Sequence, residues 1–214
     1  MRKIKEIWRD IRGKAKCGDC PLKDKSYPLL FEIKKNVRVM VITEGPNEEA
    51  CKDFIASIAN HPTFTFLYSL FKGRFKPCGE NVNVYWTHLR KCFLKIGEKP
   101  NQQDYTEDSY KALKICSEAY LLDEIKALKP KLIISVGDKA KNFFSQYITK
   151  LRRKKLREAV FKDGGIFYNI NITEITFNLI IVPHPSGRNK LWTELPSNAR
   201  EVIEKISEEI VKYL

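Results

Sequence analysis

Three short runs of β-branched and apolar residues set the tightest limit on how this chain can fold: Val37-Arg38-Val39-Met40-Val41-Ile42, Val82-Asn83-Val84-Tyr85-Trp86-Thr87 and Leu132-Ile133-Ile134-Ser135-Val136. Runs of this length and type read as buried strands. The first stops at Thr43-Glu44-Gly45-Pro46-Asn47 and the third at Gly137. Helical patterns fill the intervals. Ile4, Ile7, Trp8 and Ile11 share one face, a helix is expected over 48–59, and Asp104 with Glu107 caps a helix that runs to about Leu128, before Pro130. Further helices are expected over 138–148 and 197–213, and strands over 166–172 and 178–182. Residues 60–80 are rich in aromatics and fit no period. Alternating strands and helices predict an α/β fold: one domain over residues 1–214, a three-layer α/β/α sandwich with a central four-stranded parallel sheet. Ligands of such sheets bind outside the carboxyl ends of the strands. That rule gathers Thr43–Asn47, Thr87–Cys92 and His184–Arg188 at one edge.

The chain has 214 residues, enough for one full core. Its formal net charge of +13 points to a polyanionic partner, with nucleic acid first. No apolar run approaches the roughly 20 residues that span a bilayer, so no membrane partner is expected. The N-terminal sequence is too mixed for a signal peptide. A cytoplasmic monomer is the expectation.

Six cysteines are present: Cys17, Cys20, Cys51, Cys78, Cys92 and Cys116. The Cys17-x2-Cys20 pair can place two thiolates on one metal centre. A zinc ribbon would need a second such pair, which the sequence lacks. Four thiolates from Cys17, Cys20, Cys92 and Cys116 suit zinc or an iron–sulfur centre by ligand type. Cys51 and Cys78 read as structural.

The order of these cysteines is similar to the 4Fe–4S framework of family 4 uracil-DNA glycosylases. Thr87-His88-Leu89-Arg90-Lys91-Cys92 stands where that family has Thr-Asn-x-x-Lys-Cys. The stretch from Cys116 through Tyr120, Glu124 and Pro130 to Gly137 and Ala140 also resembles it. The loop between Cys92 and Cys116 is longer than the family's. The resemblance implies a 4Fe–4S cluster on Cys17, Cys20, Cys92 and Cys116, with zinc as the alternative, and DNA as the partner.

His184-Pro185-Ser186 matches the family's His-Pro-Ser motif. The resemblance implies that His184 donates to the carbonyl oxygen of a flipped base, where negative charge develops. Thr43-Glu44-Gly45-Pro46-Asn47 stands for the family's Gly-Glu-Ala-Pro-Gly, so the loop of Gly45, Pro46 and Asn47 would bind the base, the N–H groups of Gly45 and Asn47 serving as donors, with Ser186 nearby. Other branches of the superfamily carry a water-activating Asp at the position of Gly45. Glu44 is the candidate to orient the water instead. His88 replaces the base-reading Asn, and an imidazole donates and accepts with a different geometry. The family's Gly-x-Pro-Phe-x-Gly segment is absent; Phe54, Phe64 or Phe66 would have to stack on the base. His61-Pro62-Thr63 reads as incidental.

Arg188, Lys190 and Leu191 follow the His-Pro-Ser motif in a loop that would press on DNA, Arg188 or Leu191 serving as a wedge. Arg152, Arg153, Lys154 and Lys155 belong to a dense basic run, Lys150–Arg157, expected on a helix and able to neutralise phosphates. The function expected is excision of uracil or another deaminated base by a monofunctional glycosylase. The rival is a non-catalytic DNA-binding protein of the same fold.

Overall fold

The computed structural model describes residues 3–24, 28–30, 37–46, 62–74, 83–93, 107–172, 174–185 and 194–214. Its framework is one five-stranded sheet. Strands β1 (Val39–Thr43), β2 (Val84–His88), β3 (Leu132–Val136), β4 (Ile166–Ile172) and β5 (Ile175–Val182) lie in the order β2-β1-β3-β5-β4. The first four in that order are parallel. The fifth, β4, runs antiparallel to β5. The expected four-stranded parallel sheet therefore gains an antiparallel edge strand. Only two residues, Thr173 and Glu174, part β4 from β5, and so short a connection can make only an antiparallel pair.

Every residue of β1, β2 and β3 is buried. Side chains alternate between faces along a strand, so both faces of the sheet centre are covered. This explains why these runs are mostly apolar rather than apolar at every second position.

Six α-helices are described. Helix α1 (Ile4–Arg12) packs on α4 (Leu122–Leu128), and α2 (Pro62–Leu70) on α6 (Ala199–Val211). The α2–α6 contact includes a hydrogen bond of 2.7 Å from the Ser207 hydroxyl to the Leu70 carbonyl. Helix α3 (Glu107–Cys116) continues through a π turn, Ser117–Leu121, into α4 as one rod. The rod ends at Lys129, whose φ of 47° is left-handed, just before Pro130. Helix α5 (Asp138–Ser145) covers β3 and β1.

The expected helix over 48–59 and the cap Asp104 lie outside the described residues. Pro62–Leu70, unassigned from sequence, is helical, with Pro at the first helical position where no amide hydrogen is needed. The basic run is not a helix. Thr149–Leu151 is a 3-10 turn, Arg153 takes a left-handed φ of 63°, and helical structure resumes only at Leu156.

Candidate functional site

The strand register sets the level of each functional group. His88, Thr43, Val136 and Val182 form the last row across β2, β1, β3 and β5. Beyond it the chains stay tied together. Leu89 donates its N–H to the Thr43 carbonyl at 2.8 Å, Arg90 to the Glu44 carbonyl at 3.0 Å, and Gly137 to the Val182 carbonyl at 2.8 Å. Gly45, Arg90 and His184 each follow that row by two residues in their own segments, past the carboxyl ends of β1, β2 and β5. The expected convergence of the loops after β1, β2 and β5 is thus present in the part that is described.

His184 is half-buried. Its Cβ lies 3.3 Å from where a side chain on Gly137 would begin, and Gly137 has a φ of +87°. Only glycine meets both conditions without strain. The Nε2 atom of His184 lies 3.3 Å from the Thr63 hydroxyl on the first turn of α2. Thr63 is itself buried. The reading of Pro62-Thr63 as incidental is therefore corrected: this turn touches the candidate catalytic imidazole. A helix that opens with Pro-Thr was the available signal, but nothing in the spacing joined it to a residue more than a hundred positions away.

His88 is 4% exposed. Its Nδ1 lies 2.6 Å from the Thr43 hydroxyl, which also accepts the Trp86 indole N–H at 3.3 Å. The ring is thereby fixed in the sheet edge. Glu44 and Gly45 are half-buried and Pro46 is buried. A Cβ on Gly45 would come within 2.9 Å of Arg90 Nη2 and 3.0 Å of Arg90 Nε. The Arg90 guanidinium, in a residue only 7% exposed, thus lies on the loop after β1. Sequence reasoning passed over Arg90 because it occupies a variable position of its motif. Phe64 and Phe66 are half-buried and pack against the core. Asn47, Phe54, Ser186, Arg188, Lys190 and Leu191 lie outside the described residues, as do Cys51 and Cys78.

Behind this edge is a buried charge network. Lys91 Nζ donates to Glu124 Oε2 at 2.6 Å, to the Thr87 hydroxyl at 2.5 Å and to the His88 carbonyl at 2.7 Å. Glu124 also accepts from the Tyr85 hydroxyl at 2.5 Å and from Thr87 at 3.1 Å. The Trp8 indole N–H reaches the Tyr85 oxygen at 3.1 Å and ties α1 to β2. Burial, and then the charge of Glu124, hold the Tyr85 hydroxyl well above its ordinary pKa, so it remains a donor.

One step further along lie the four described cysteines, none in a disulfide. Cys17, Cys92 and Cys116 are buried and Cys20 is half-buried. They come from the turn after α1, the segment after β2 and the end of α3. Burial pushes the Cys92 thiol up to about 12, with further contributions from Cys116, Cys17 and Cys20. Burial likewise raises Cys116 to about 11, opposed by Lys91, and raises Cys17, opposed by its hydrogen bond to Tyr120. The four thiols are thus electrostatic neighbours. Cys116 Sγ accepts the Lys91 N–H at 3.3 Å. The N-terminal segment is held here by the Lys16 N–H to the Tyr120 hydroxyl at 2.8 Å and by a bridge between Pro28 and Cys92. Among the described residues, no three His, Cys, Asp or Glu side chains close tightly enough to hold a single metal ion.

The turn at residues 163–165 borders the end of β5, where the Ile181 N–H donates to the Gly165 carbonyl at 2.8 Å. Arg152, Arg153, Lys155 and Arg157 are exposed, and Lys154 pairs with Asp163 at 2.6 Å. A groove of about 460 Å³ opens there, lined by Lys155, Arg157, Phe161, Lys162, Pro196 and Asn198, with Glu158 beside them. Among the described residues, no helix is long and apolar enough to cross a membrane.

Parallel strands that present histidines, a glycine-bearing loop and an arginine at their carboxyl ends define an α/β domain with a ligand site at the sheet edge. The chain matches the family model of the uracil DNA glycosylase superfamily over residues 31–209 and belongs to that superfamily. Members of this family are DNA-binding glycosylases. Cys92 and Cys116 lie inside the matched region; Cys17 and Cys20 precede it.

Proposed function

We propose that this protein is a monofunctional DNA glycosylase that removes uracil or another deaminated base, leaving an abasic site, in base excision repair. The observation that carries the reading is that His184, Gly45 and Arg90 all follow the carboxyl ends of strands of one sheet in a chain of this superfamily. His184 supplies a donor to the carbonyl oxygen of the departing base. Glu44 orients water, and the loop Gly45-Pro46-Asn47 offers backbone N–H groups. His88 reads the base edge from a ring that Thr43 holds. Phe54 stacks on the base and Ser186 lies beside it. Arg152, Arg153, Lys154 and Lys155, with Arg188, Lys190 and Leu191, engage the DNA strand as a monomer.

Cys17, Cys20, Cys92 and Cys116 hold a 4Fe–4S cluster, as in the family 4 branch. The donor set supports it: four thiols come from three segments, and burial raises those of Cys17, Cys92 and Cys116 so that they stay neutral. A cationic centre converts them into ligands, since coordinated thiols are deprotonated. A single zinc ion on the same four thiolates, each at about 2.3 Å, is the alternative. A cluster takes one thiolate per iron and spreads them. Its part is structural, fastening residues 13–24 to the end of β2 and to α3.

Oligonucleotides carrying uracil or hypoxanthine test the activity, read as alkali-labile strand breaks. Cleavage that His184→Ala abolishes supports the reading, and unchanged cleavage by that variant overturns it. Retarded but intact DNA supports the rival, a non-catalytic DNA-binding protein. That rival draws on His88 in place of the base-reading Asn and on the missing Gly-x-Pro-Phe-x-Gly segment. Iron and sulfide in equal amounts identify the cluster; stoichiometric zinc excludes it.

A further inference from the structure

We infer that Arg90 is a second donor to the departing base, a fixed cation acting alongside His184. The inference rests on the glycosylase reading above and deepens it by naming a catalytic group that reading does not use. Arg90 enters from the segment after β2, yet its guanidinium lies over the loop after β1, on the backbone of Gly45. That loop follows β1 and His184 follows β5, the two strands that flank β3. Neighbouring strands are about 4.8 Å apart, so β1 and β5 run about 10 Å apart with β3 between them. The base is placed beyond the end of β3, reached by Arg90 from the β1 side and by the imidazole from the β5 side.

The placement has a local cause. Gly45 is the residue that makes room, because a Cβ there would meet Nη2 at 2.9 Å, Nε at 3.0 Å and Cζ at 3.4 Å. The arginine is only 7% exposed, so solvent does little to screen its charge. A guanidinium always carries its positive charge and presents donors in a planar fork that matches a carbonyl oxygen and an adjacent ring atom. It cannot serve as a base towards water. Its chemistry suits the leaving group instead.

In the step concerned, the bond from C1′ of the sugar to the base nitrogen breaks, and its electron pair stays on the base. The negative charge spreads to the base's carbonyl oxygens. C1′, left cationic, takes the oxygen of a water molecule, and the proton released ends on the base, so the products are a neutral base and an abasic sugar. Arg90 and His184 stabilise the anion between bond breaking and that protonation.

Single-turnover cleavage of oligonucleotides carrying uracil or 5-fluorouracil tests this. The fluorinated base is the stronger acid and leaves with less help. Arg90→Ala is expected to slow uracil release about 100-fold, the scale for losing one such donor, and 5-fluorouracil release about 10-fold, so the ratio of the two rates shifts about 10-fold. Arg90→Lys recovers part of that shift. Gly45→Ala, which displaces the guanidinium without removing it, reproduces the shift at smaller size and carries the test if Arg90→Ala does not fold. Equal slowing of both substrates in the folded variants means a structural role and overturns the inference alone. Cleavage of neither base by the unaltered protein overturns the glycosylase reading, and this one with it.

Discussion

Two buried polar clusters flank the end of β2 and meet at Lys91. In the first, Lys91 and Glu124 are both essentially inaccessible, and hydroxyls or a carbonyl answer each charge within 3.1 Å. In the second, the thiols of Cys17, Cys92 and Cys116 are all raised, chiefly by burial. The first cluster is complete within the chain. The second is a set of neutral thiols, and under the cluster proposed above they would be answered by an added cation. On that reading the chain holds polarity at two adjacent places by opposite means, internal pairing in one and ligation in the other.

The strongest way to break this comparison is Cys92→Ser. Structural metal centres contribute about 10 kcal/mol or more, so the variant should lose its metal and expose the segment up to Leu22 to protease. A variant with full stability and no metal would place the thiols among ordinary core residues. Next comes Lys91→Met, which leaves Glu124 buried and unpaired. The expected cost is about 3–5 kcal/mol, read from denaturant midpoints in urea. If that loss appears only in metal-loaded protein, the two clusters are not independent.

Tyr85→Phe sharpens the contrast at smaller scale. It removes one donor to a charged group, about 2 kcal/mol. It also changes the pH response. Because burial and Glu124 raise the folded pKa of Tyr85, its contribution is present below about pH 10, the unfolded value, and is lost as pH rises above it. The parent should therefore lose stability more steeply than Tyr85→Phe in alkali. The smallest effect is expected for Trp8→Phe, about 1 kcal/mol for a single neutral hydrogen bond. It should appear as a fall of about 3 °C in melting temperature.

The sheet centre was legible in the sequence because β1, β2 and β3 are covered on both faces, and burial leaves runs that are mostly apolar and β-branched or aromatic. The edge strand β4 was located, but its direction was not, since orientation follows from the two-residue connection rather than from composition. His184 and the loop after β1 could be read because their residues come in a fixed local order. Thr63, Arg90 and Glu124 could not. Each reaches its partner across the fold: Thr63 to His184, Arg90 to Gly45, Glu124 to Lys91. The basic run was visible as charge, but its turn at Arg153 was not, because a left-handed arginine has no sequence signal.

The π turn at Ser117–Leu121 lies between Cys116 and Glu124 on a single rod. An α-helix advances about 100° per residue, and the wider turn resets that phase midway. It works as a vernier, aiming a sulfur at one cluster and a carboxylate at the other from the same shaft. Deleting Ala119 would swing Glu124 away from Tyr85, Thr87 and Lys91 while leaving Cys116 in place. In this stretch the count of residues, more than their identity, is the quantity the fold has to keep.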